Sequence, residues 1–277
     1  MVSSTLSKCS NMSSTIDIQP YLESFEPISL SKMESVKLMN RIDTKYVVPL
    51  SVLPHILSKA VDDYFIQEID GVRLFTYDTM YYDTDDLDMY IRHHDRQLVR
   101  QKIRVREYVD SDLCFLEIKK KNNKGRTKKK RITIPRATNL TGDIIGHGKK
   151  DYTIAQFVEA KSRYRWDQIA PKLRTRFHRI TLVNRAMTER LTIDIDLSWE
   201  NQTTENIVSL PLMVIIELKR DGQVPSPMLH IMLEERIRPL KVSKYCIGTA
   251  LTSPSVKQNR FKAKIRKIHK ILNTTIQ

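Results

Sequence analysis

The sequence predicts an α+β fold in which about eight antiparallel strands close into a barrel that is flanked by helices. Charged and aliphatic residues alternate along several segments, so each of these strands would have one charged and one apolar face. Amphipathic helical segments that could cover the apolar faces occur between the strands. An open sheet would leave its charged face in water, whereas a helix-covered barrel turns that face into a lumen. The phases of the strands favour the barrel.

The stretch 100–134 shows this alternation most clearly. Its three segments would form neighbouring strands, and each would have a basic face. Like charges about 5 Å apart repel by roughly 3 kcal/mol at a surface-like dielectric. A solvated sheet face is the ordinary explanation, but three such strands with one acidic residue among the cations favour a concave site for a polyanion. The residues on these faces are Lys102, Arg104, Arg106, Glu117, Lys119, Lys121, Lys129 and Arg131.

The elements before this stretch can be placed in order. The Ser- and Thr-rich segment 1–20 is predicted to be disordered. A capping-box pattern at Ser31 begins a helix over 31–40, a strand with a charged face follows at 41–48, and a second helix covers 51–61. A strand over 75–84 leads into a solvated connection that holds two adjacent histidines, His93 and His94.

The elements after it repeat the pattern. A glycine-containing loop leads to a helix over 153–166, and strands are predicted at 173–182, 190–197 and 213–220. Ser226 and Pro227 begin a helix that runs to about 237. The next segment, 241–245, is read as extended, although a turn opening at Lys244 would point that side chain inward. Phe261, Ile265, Ile268 and Leu272 give 259–272 the spacing of a basic amphipathic helix.

The composition limits the classes of partner that the protein could bind. The net charge of +15 over 277 residues indicates nucleic acid, an anionic membrane or a phosphate-rich small molecule. The chain shows no export signal and no membrane-spanning apolar run, so we expect a cytoplasmic protein, with association at a membrane surface as the alternative. The three cysteines are widely spaced without a metal-binding pattern, which predicts reduced structural thiols and no zinc site.

Nine segments in the order of a known pattern resemble the VTC (vacuolar transporter chaperone) polyphosphate polymerase domain of the triphosphate tunnel superfamily. They span about 28 to 250, and each is weak alone. The matching segments are 28–30 with 40–46, 81–84, 102–108, 115–119, 129–131, 173–175, 190–194, 216–219 and 241–245.

The resemblance implies an eight-stranded tunnel with a basic lumen that holds a nucleoside triphosphate and a growing polyphosphate chain. By motif, the catalytic residues would be Arg104, Arg106, Lys119, Arg174 and Lys244. Further phosphate-binding residues would be Lys45, Lys129, Arg131, Arg190, Lys241 and Ser243, and Glu217 and Glu117 would hold Mn²⁺ or Mg²⁺. Arg174 and Arg179 have opposite strand phases, so only one can face inward without a bulge, and Arg174 is the one expected to do so.

One departure separates branches of the superfamily. Its hydrolases and cyclases commonly begin with an ExExK strand, whereas this chain has Arg41, Asp43 and Lys45 there. Replacing the first carboxylate by Arg weakens a two-metal hydrolytic site and adds a phosphate-binding cation. No histidine falls within an inward-facing motif that could supply a base for water.

The expected function is therefore transfer of the γ-phosphoryl group of ATP to a polyphosphate chain. The alternatives are a triphosphatase of the same fold, a non-catalytic polyphosphate or nucleotide sensor, and a nucleic-acid-binding module. The last is disfavoured because the chain contains no recognised nucleic-acid-binding motif. We expect a catalytic domain over 21–255 and a C-terminal helix over 256–277. That helix would cap one tunnel mouth or contact a membrane or a membrane protein through 259–272.

Overall fold

The computed structural model describes residues 16–34, 41–136, 139–222 and 224–273. Most of the predicted disordered segment 1–20 and the second half of the predicted helix 31–40 lie outside these residues. The helices are α1 (Gln19–Glu23), α2 (Leu30–Glu34), α3 (Leu53–Ala60), α4 (Asp88–His94), α5 (Ile154–Lys161), α6 (Pro227–Glu234), α7 (Lys244–Thr252) and α8 (Asn259–Leu272). The strands are β1 (Glu26–Ile28), β2 (Arg41–Pro49), β3 (Tyr64–Gln67), β4 (Phe75–Asp83), β5 (Arg100–Tyr108), β6 (Leu113–Lys121), β7 (Thr127–Thr133), β8 (Ile145–Gly146), β9 (Tyr152–Thr153), β10 (Ala170–Asn184), β11 (Glu189–Asn201), β12 (Ile207–Leu210) and β13 (Met213–Asp221).

Eight strands form one continuous antiparallel sheet in the order β2-β13-β11-β10-β4-β5-β6-β7. The sheet curls into a half-barrel, which confirms the predicted α+β tunnel fold. Its end strands, β2 and β7, are not paired with each other in the described part of the chain. β1, β3 and β12 extend the sheet beside this path.

The convex face of the sheet is apolar and is covered by helices. Alternate residues of β2, β13, β11 and β10 pack with α1, α3 and α6 in one core. Alternate residues of β5, β6 and β7 pack with α5 in a second core, which also includes Met89 of α4. Because the side chains of a strand alternate between its faces, the charged residues of these strands lie on the concave side.

The concave side is partly filled by the C-terminal helices. α7 and α8 pack Tyr245, Ile247, Phe261 and Ile268 against inward-facing apolar residues of the sheet. Packing is tight where α7 meets Trp199 of β11: a Cβ placed on Gly248 would lie 2.1 Å from Trp199 Cδ1. The remaining concave surface, beyond this apolar plug, holds the charged residues.

The connection after β4 differs from its prediction. The residues expected to be solvated form α4, and the side chain of His94 is buried. Asp83, at the end of β4, accepts hydrogen bonds at 2.9 Å from the backbone amides of Met89 and Tyr90. Its carboxylate therefore satisfies amides that the first turn of α4 would otherwise leave unpaired.

The segment 241–245 is a helix start. Ser243 has an extended backbone, and its side chain accepts a hydrogen bond from the amide of Cys246, so it caps α7 and makes Lys244 the first helical residue. This selects the turn alternative, in which Lys244 points inward. None of the described helices is long and apolar enough to cross a membrane.

Candidate functional site

Three carboxylates on the concave side each hold two cations. Glu117 of β6 is 1% exposed and pairs with Arg104 of β5 at 2.5 Å and with Lys129 of β7 at 2.7 Å. Burial alone would raise its pKa, but the charges of Arg104, Arg106 and Lys129 outweigh burial and lower it. Glu117 is therefore an anion that orients cations from two neighbouring strands.

Glu217 of β13 binds Lys45 of β2 at 2.6 Å and Lys219 of its own strand at 2.9 Å. Burial opposes ionisation, yet these two ammonium groups hold the pKa of Glu217 well below its usual range. Burial in turn lowers the pKa of Lys219 to about 8. This pair of lysines lies at the opposite edge of the half-barrel from Glu117.

Asp194 of β11 lies between these two sites. Its two oxygens accept from Arg179 Nε at 2.6 Å and from a second Arg179 nitrogen at 2.9 Å, and Lys244 Nζ also donates to it. The guanidinium of Arg179 lies 4.8 Å from the ring centre of Tyr77 and 5.3 Å from that of Phe177. Lys244 Nζ lies 4.4 Å above Phe177. Cations from β10 and α7 are thus fixed against one carboxylate and two aromatic rings.

Three more cations on this face have no salt bridge to a described carboxylate. Arg106 is 7% exposed and makes a 3.3 Å hydrogen bond to Thr79 Oγ1. The charge of Arg104, together with burial, lowers the pKa of Lys119. Burial and the charges of Arg41 and Arg179 lower the pKa of Arg190. The lowered pKa values of these cations indicate a positive electrostatic field that the neighbouring anions do not balance.

We call these twelve side chains the inner cluster. Nine are cations and three are carboxylates, so the cluster has six more positive than negative charges. Buried like charges are costly to gather, and an anionic ligand would relieve that cost. The members are Lys45, Arg104, Arg106, Glu117, Lys119, Lys129, Arg179, Arg190, Asp194, Glu217, Lys219 and Lys244.

Most of the site residues predicted from the sequence belong to the inner cluster. The predicted inward orientation of Arg174 was wrong. Arg174 lies on the outer face and pairs with Asp78 at 2.8 Å. Side chains alternate regularly along β10 from Leu173: Ile180 and Leu182, in phase with Arg174, pack in the core with α3 and α6, whereas Phe177 faces the concave side in phase with Arg179. Arg179, which was passed over, is the inward-facing arginine of this strand.

Three predicted phosphate-binding residues lie at the edge of the inner cluster. Arg131 is exposed and stacks on Phe115 at 4.4 Å, opposite Glu117 in the β6–β7 register. Lys241 is exposed just before α7. The Ser243 hydroxyl accepts from Lys102 Nζ at 2.6 Å and from the amide of Cys246 as the cap of α7, so its acceptor positions are used while its O–H can still donate to a phosphate oxygen.

Three members of the inner cluster were not predicted as site residues: Arg179, Asp194 and Lys219. For Asp194 and Lys219 a signal was present, since each falls within a matching segment and shares its phase with a selected residue, Arg190 or Glu217. For Arg179 a signal was also present, because it alternates with Ile180 and Leu182, whose aliphatic side chains mark the apolar face of β10.

The carboxylates do not form a self-contained metal site. The described residues include no group of three or more His, Cys, Asp or Glu side chains suited to a metal ion. Both Glu117 and Glu217 already bind two cations each. Mg²⁺ is commonly held by one or two carboxylates together with phosphate oxygens. Glu217 therefore fits a shared site in which a bound triphosphate would supply most of the oxygens.

Comparison with known proteins gives the family. The model of the VTC domain matches residues 40–253, which include every strand of the half-barrel and α7. The chain belongs to the VTC domain family. This confirms the resemblance drawn from the nine sequence segments.

Among solved structures, the putative adenylyl cyclase HpAC1 from Hippeastrum, described as having a dominant triphosphatase activity, is similar to this VTC chain. Its identity is 14% and its TM-score 0.45, over 76% of this chain and 95% of that one. A conserved hypothetical protein from Pyrococcus furiosus has 10% identity and a TM-score of 0.39, over 74% of this chain and 99% of that one. At these scores neither structure bears on the activity of this chain. No curated protein sequence matches it.

Proposed function

We propose that this VTC-family protein is a polyphosphate polymerase, which transfers the γ-phosphoryl group of ATP to the end of an inorganic polyphosphate chain with Mn²⁺ or Mg²⁺. The observation that carries the proposal is the excess of six positive charges in the inner cluster, on a concave surface formed by seven strands and α7. A linked series of phosphates is the ligand that neutralises such a surface most fully.

Phosphoryl transfer depends mainly on positioning and on charge neutralisation. Arg106, Lys119 and Arg190 form no salt bridge with a described carboxylate, so they are the inner-cluster cations most available to phosphate oxygens. Arg104 and Lys129 are aimed by Glu117 and can share their remaining donors with the ligand. Glu217 would hold a metal ion, which would supply positive charge to offset that of the phosphates.

In the proposed reaction an oxygen of the terminal phosphate of the chain attacks the γ-phosphorus of ATP. The bond from that phosphorus to the bridging oxygen breaks, and ADP leaves with the electron pair. The attacking phosphate has its second pKa near 6, so it is largely ionised at neutral pH and needs no general base. The histidines within the described chain make no hydrogen bond to the inner cluster, so a base that would activate water is not evident.

The test is incubation of the pure protein with ATP and Mn²⁺, followed by separation of the products on a gel. Chains of many phosphates with equivalent release of ADP are expected. Orthophosphate without chains would instead indicate a triphosphatase of the same fold. Addition of a chelator before ATP should stop synthesis if a divalent cation takes part.

Two variants distinguish a polymerase from a non-catalytic sensor. Arg104→Ala and Glu217→Gln should both abolish chain synthesis, whereas only Arg104→Ala should strongly weaken triphosphate binding. A sensor would bind triphosphate with neither variant nor wild type forming product. Arg176→Gln is a suitable control, because this exposed arginine pairs with Asp78 on the outer face.

The proposed partners are ATP and inorganic polyphosphate, and nucleic acid is not among them. The cations of the inner cluster lie in a concavity and not on a flat face that duplex DNA could reach. Steeply salt-dependent binding to long duplex DNA would contradict this expectation. Contact of α8 with an anionic membrane or a membrane protein remains a prediction.

A further inference from the structure

A second group of cations lies where β5 begins and β6 ends, next to the inner cluster. Arg100 and Lys121 are opposite each other in the β5–β6 register, as are Lys102 and Lys119. Burial and the charges of Arg100 and Lys241 lower the pKa of Lys121. We call this group the mouth cluster, and its members are Arg96, Arg100, Lys102, Lys121, Lys241 and Lys264.

The mouth cluster draws on five parts of the chain. It includes the connection after α4, the strands β5 and β6, the segment before α7, and α8. Lys264 of α8 is half-buried, and burial together with the charges of Arg96, Lys241 and Lys102 lowers its pKa. Convergence of side chains from separate elements distinguishes this cluster from a run of lysines along one exposed segment.

None of the described carboxylates pairs with these cations. Within the described residues, none of the six forms a salt bridge, and the two that donate side-chain hydrogen bonds do so to neutral oxygens. Arg100 donates to the carbonyl of Gln97 at 2.6 Å, and Lys102 donates to the Ser243 hydroxyl at 2.6 Å. The inner cluster has three carboxylates for nine cations, so the mouth cluster is the less compensated of the two.

An unpartnered histidine nitrogen supports a ligand at this position. The Nδ1 atom of His93 is buried and has no hydrogen-bond partner, which is uncommon for a buried polar atom. Burial, with the charges of Lys102, Arg100 and Lys264, lowers the pKa of His93 to about 2. The ring is therefore neutral and adds no positive charge to its cationic surroundings, while it can still donate one N–H.

We propose that the mouth cluster is a second anion subsite, which binds the phosphates of a chain that extends beyond the triphosphate held by the inner cluster. The two sites are continuous, since Arg100, Lys102, Arg104 and Arg106 occupy alternate positions on one face of β5 at intervals of about 7 Å. A linear polyanion can follow this row, whereas a compact anion would contact only part of it. This inference rests on the proposed function.

The test compares tripolyphosphate with long-chain polyphosphate as ligands of the full-length protein. In the variant Lys121→Gln/Lys264→Gln, affinity for the long chain should fall about tenfold or more, because two charge-assisted contacts are lost. Affinity for tripolyphosphate should stay within about twofold of wild type. The salt dependence of long-chain binding should also become weaker.

The matched control is Lys120→Gln/Lys267→Gln, which removes the same charge from exposed positions on the same two elements. Equal effects of the two double variants on long-chain binding would overturn the subsite. Unchanged long-chain binding with lost binding to anionic lipid vesicles would also overturn it, in favour of membrane docking. If wild type binds no tripolyphosphate, the proposed function fails, and a selective loss of long-chain binding in the first variant would still support the subsite.

Discussion

The carboxylate of Asp194 holds the ammonium of Lys244, and this contact joins the centre of the sheet to the first residue of α7. Lys244 lies close to a second cation, Arg179, which Asp194 binds through two nitrogens. Asp194 is therefore placed to keep Lys244 both oriented and charged in a buried position. None of the local sequence patterns assigned it this function.

Asp194→Asn should shift the pH dependence of phosphate binding. Burial lowers the pKa of Lys244 to about 8, while Asp194 opposes this shift and Arg179 and Lys45 add to it. Loss of the carboxylate should lower the pKa further, so Lys244 would lose its proton at a lower pH. The alkaline fall in tripolyphosphate affinity, measured by calorimetry between pH 6 and pH 9, should move to lower pH.

The control for this variant is Asp196→Asn on the same strand, an exposed carboxylate that lies 3.4 Å from His178 on the outer face. It should leave the pH profile unchanged. An alkaline limb that is identical in wild type and Asp194→Asn would show that Asp194 does not support the charge of Lys244. If Asp194→Asn does not fold, Lys244→Gln tests the same limb, since it should reduce it to the part contributed by Lys219.

The arginines of β10 provide a second prediction. Arg179→Gln should weaken tripolyphosphate binding about tenfold or more, because a buried guanidinium of the inner cluster is lost. Arg174→Gln removes the same charge from the same strand on the outer face and should leave affinity within about twofold. The reverse order of effects would mean that β10 presents its other face to the ligand.

Ligand binding should stabilise the protein. A ligand that binds only the folded protein stabilises it by mass action, so tripolyphosphate at 100 times its dissociation constant should raise the free energy of unfolding by about 2.7 kcal/mol. A thermal-shift series at increasing ligand concentration measures this. Sulfate at equal ionic strength is the control, and an equal shift with sulfate would indicate general salt stabilisation instead of a phosphate site.

Acid should destabilise the fold through its buried carboxylates. The folded-state pKa of Glu117 is lowered, so its contribution to stability is present above its ordinary pKa of about 4.3 and is lost as pH falls below that value. Below that pH, each such carboxylate should lower the free energy of unfolding by about 1.4 kcal/mol per pH unit. The free energy of unfolding, measured in urea, should fall less steeply between pH 4 and pH 2.5 in Glu117→Gln than in wild type. An equal pH dependence in the two proteins would refute the assignment.

The contact between α7 and Trp199 can be tested by Gly248→Ala. The added methyl group would overlap the indole ring, so the free energy of unfolding should fall by about 1–3 kcal/mol. Because α7 positions Lys244, phosphate affinity should fall as well. Ala263→Ser on the exposed side of α8 is the control in the same melting assay. Full stability and affinity in Gly248→Ala would show that the helix can move away without consequence.

The fold followed from the sequence where side-chain alternation is regular. The phases of β2, β5, β6 and β13 placed Lys45, Arg104, Lys119 and Glu217 correctly on one face, because each ladder is uninterrupted across that stretch. In β10 the two arginines have opposite phases, and Arg174 was selected although it shares its phase with the aliphatic residues Ile180 and Leu182. Taking the phase from these aliphatic residues predicts Arg179 as the inward-facing arginine.

Helices were harder to place where tertiary contacts create them. α4 depends on Asp83 at the end of the preceding strand, so its histidines were taken for part of a solvated connection. α7 is buried nearly all round and therefore lacks the amphipathic spacing by which α3 and α8 were recognised. The inner cluster could be outlined from the sequence, but its ion pairs could not.

The most direct test of the central claim is a crystal structure with tripolyphosphate. We expect phosphate density on the concave side of the half-barrel, in contact with Arg106, Lys119 and Arg190, the three inner-cluster cations that form no salt bridge with a described carboxylate. Density confined to the outer surface, or phosphates bound while these three side chains make no contact with them, would contradict the account.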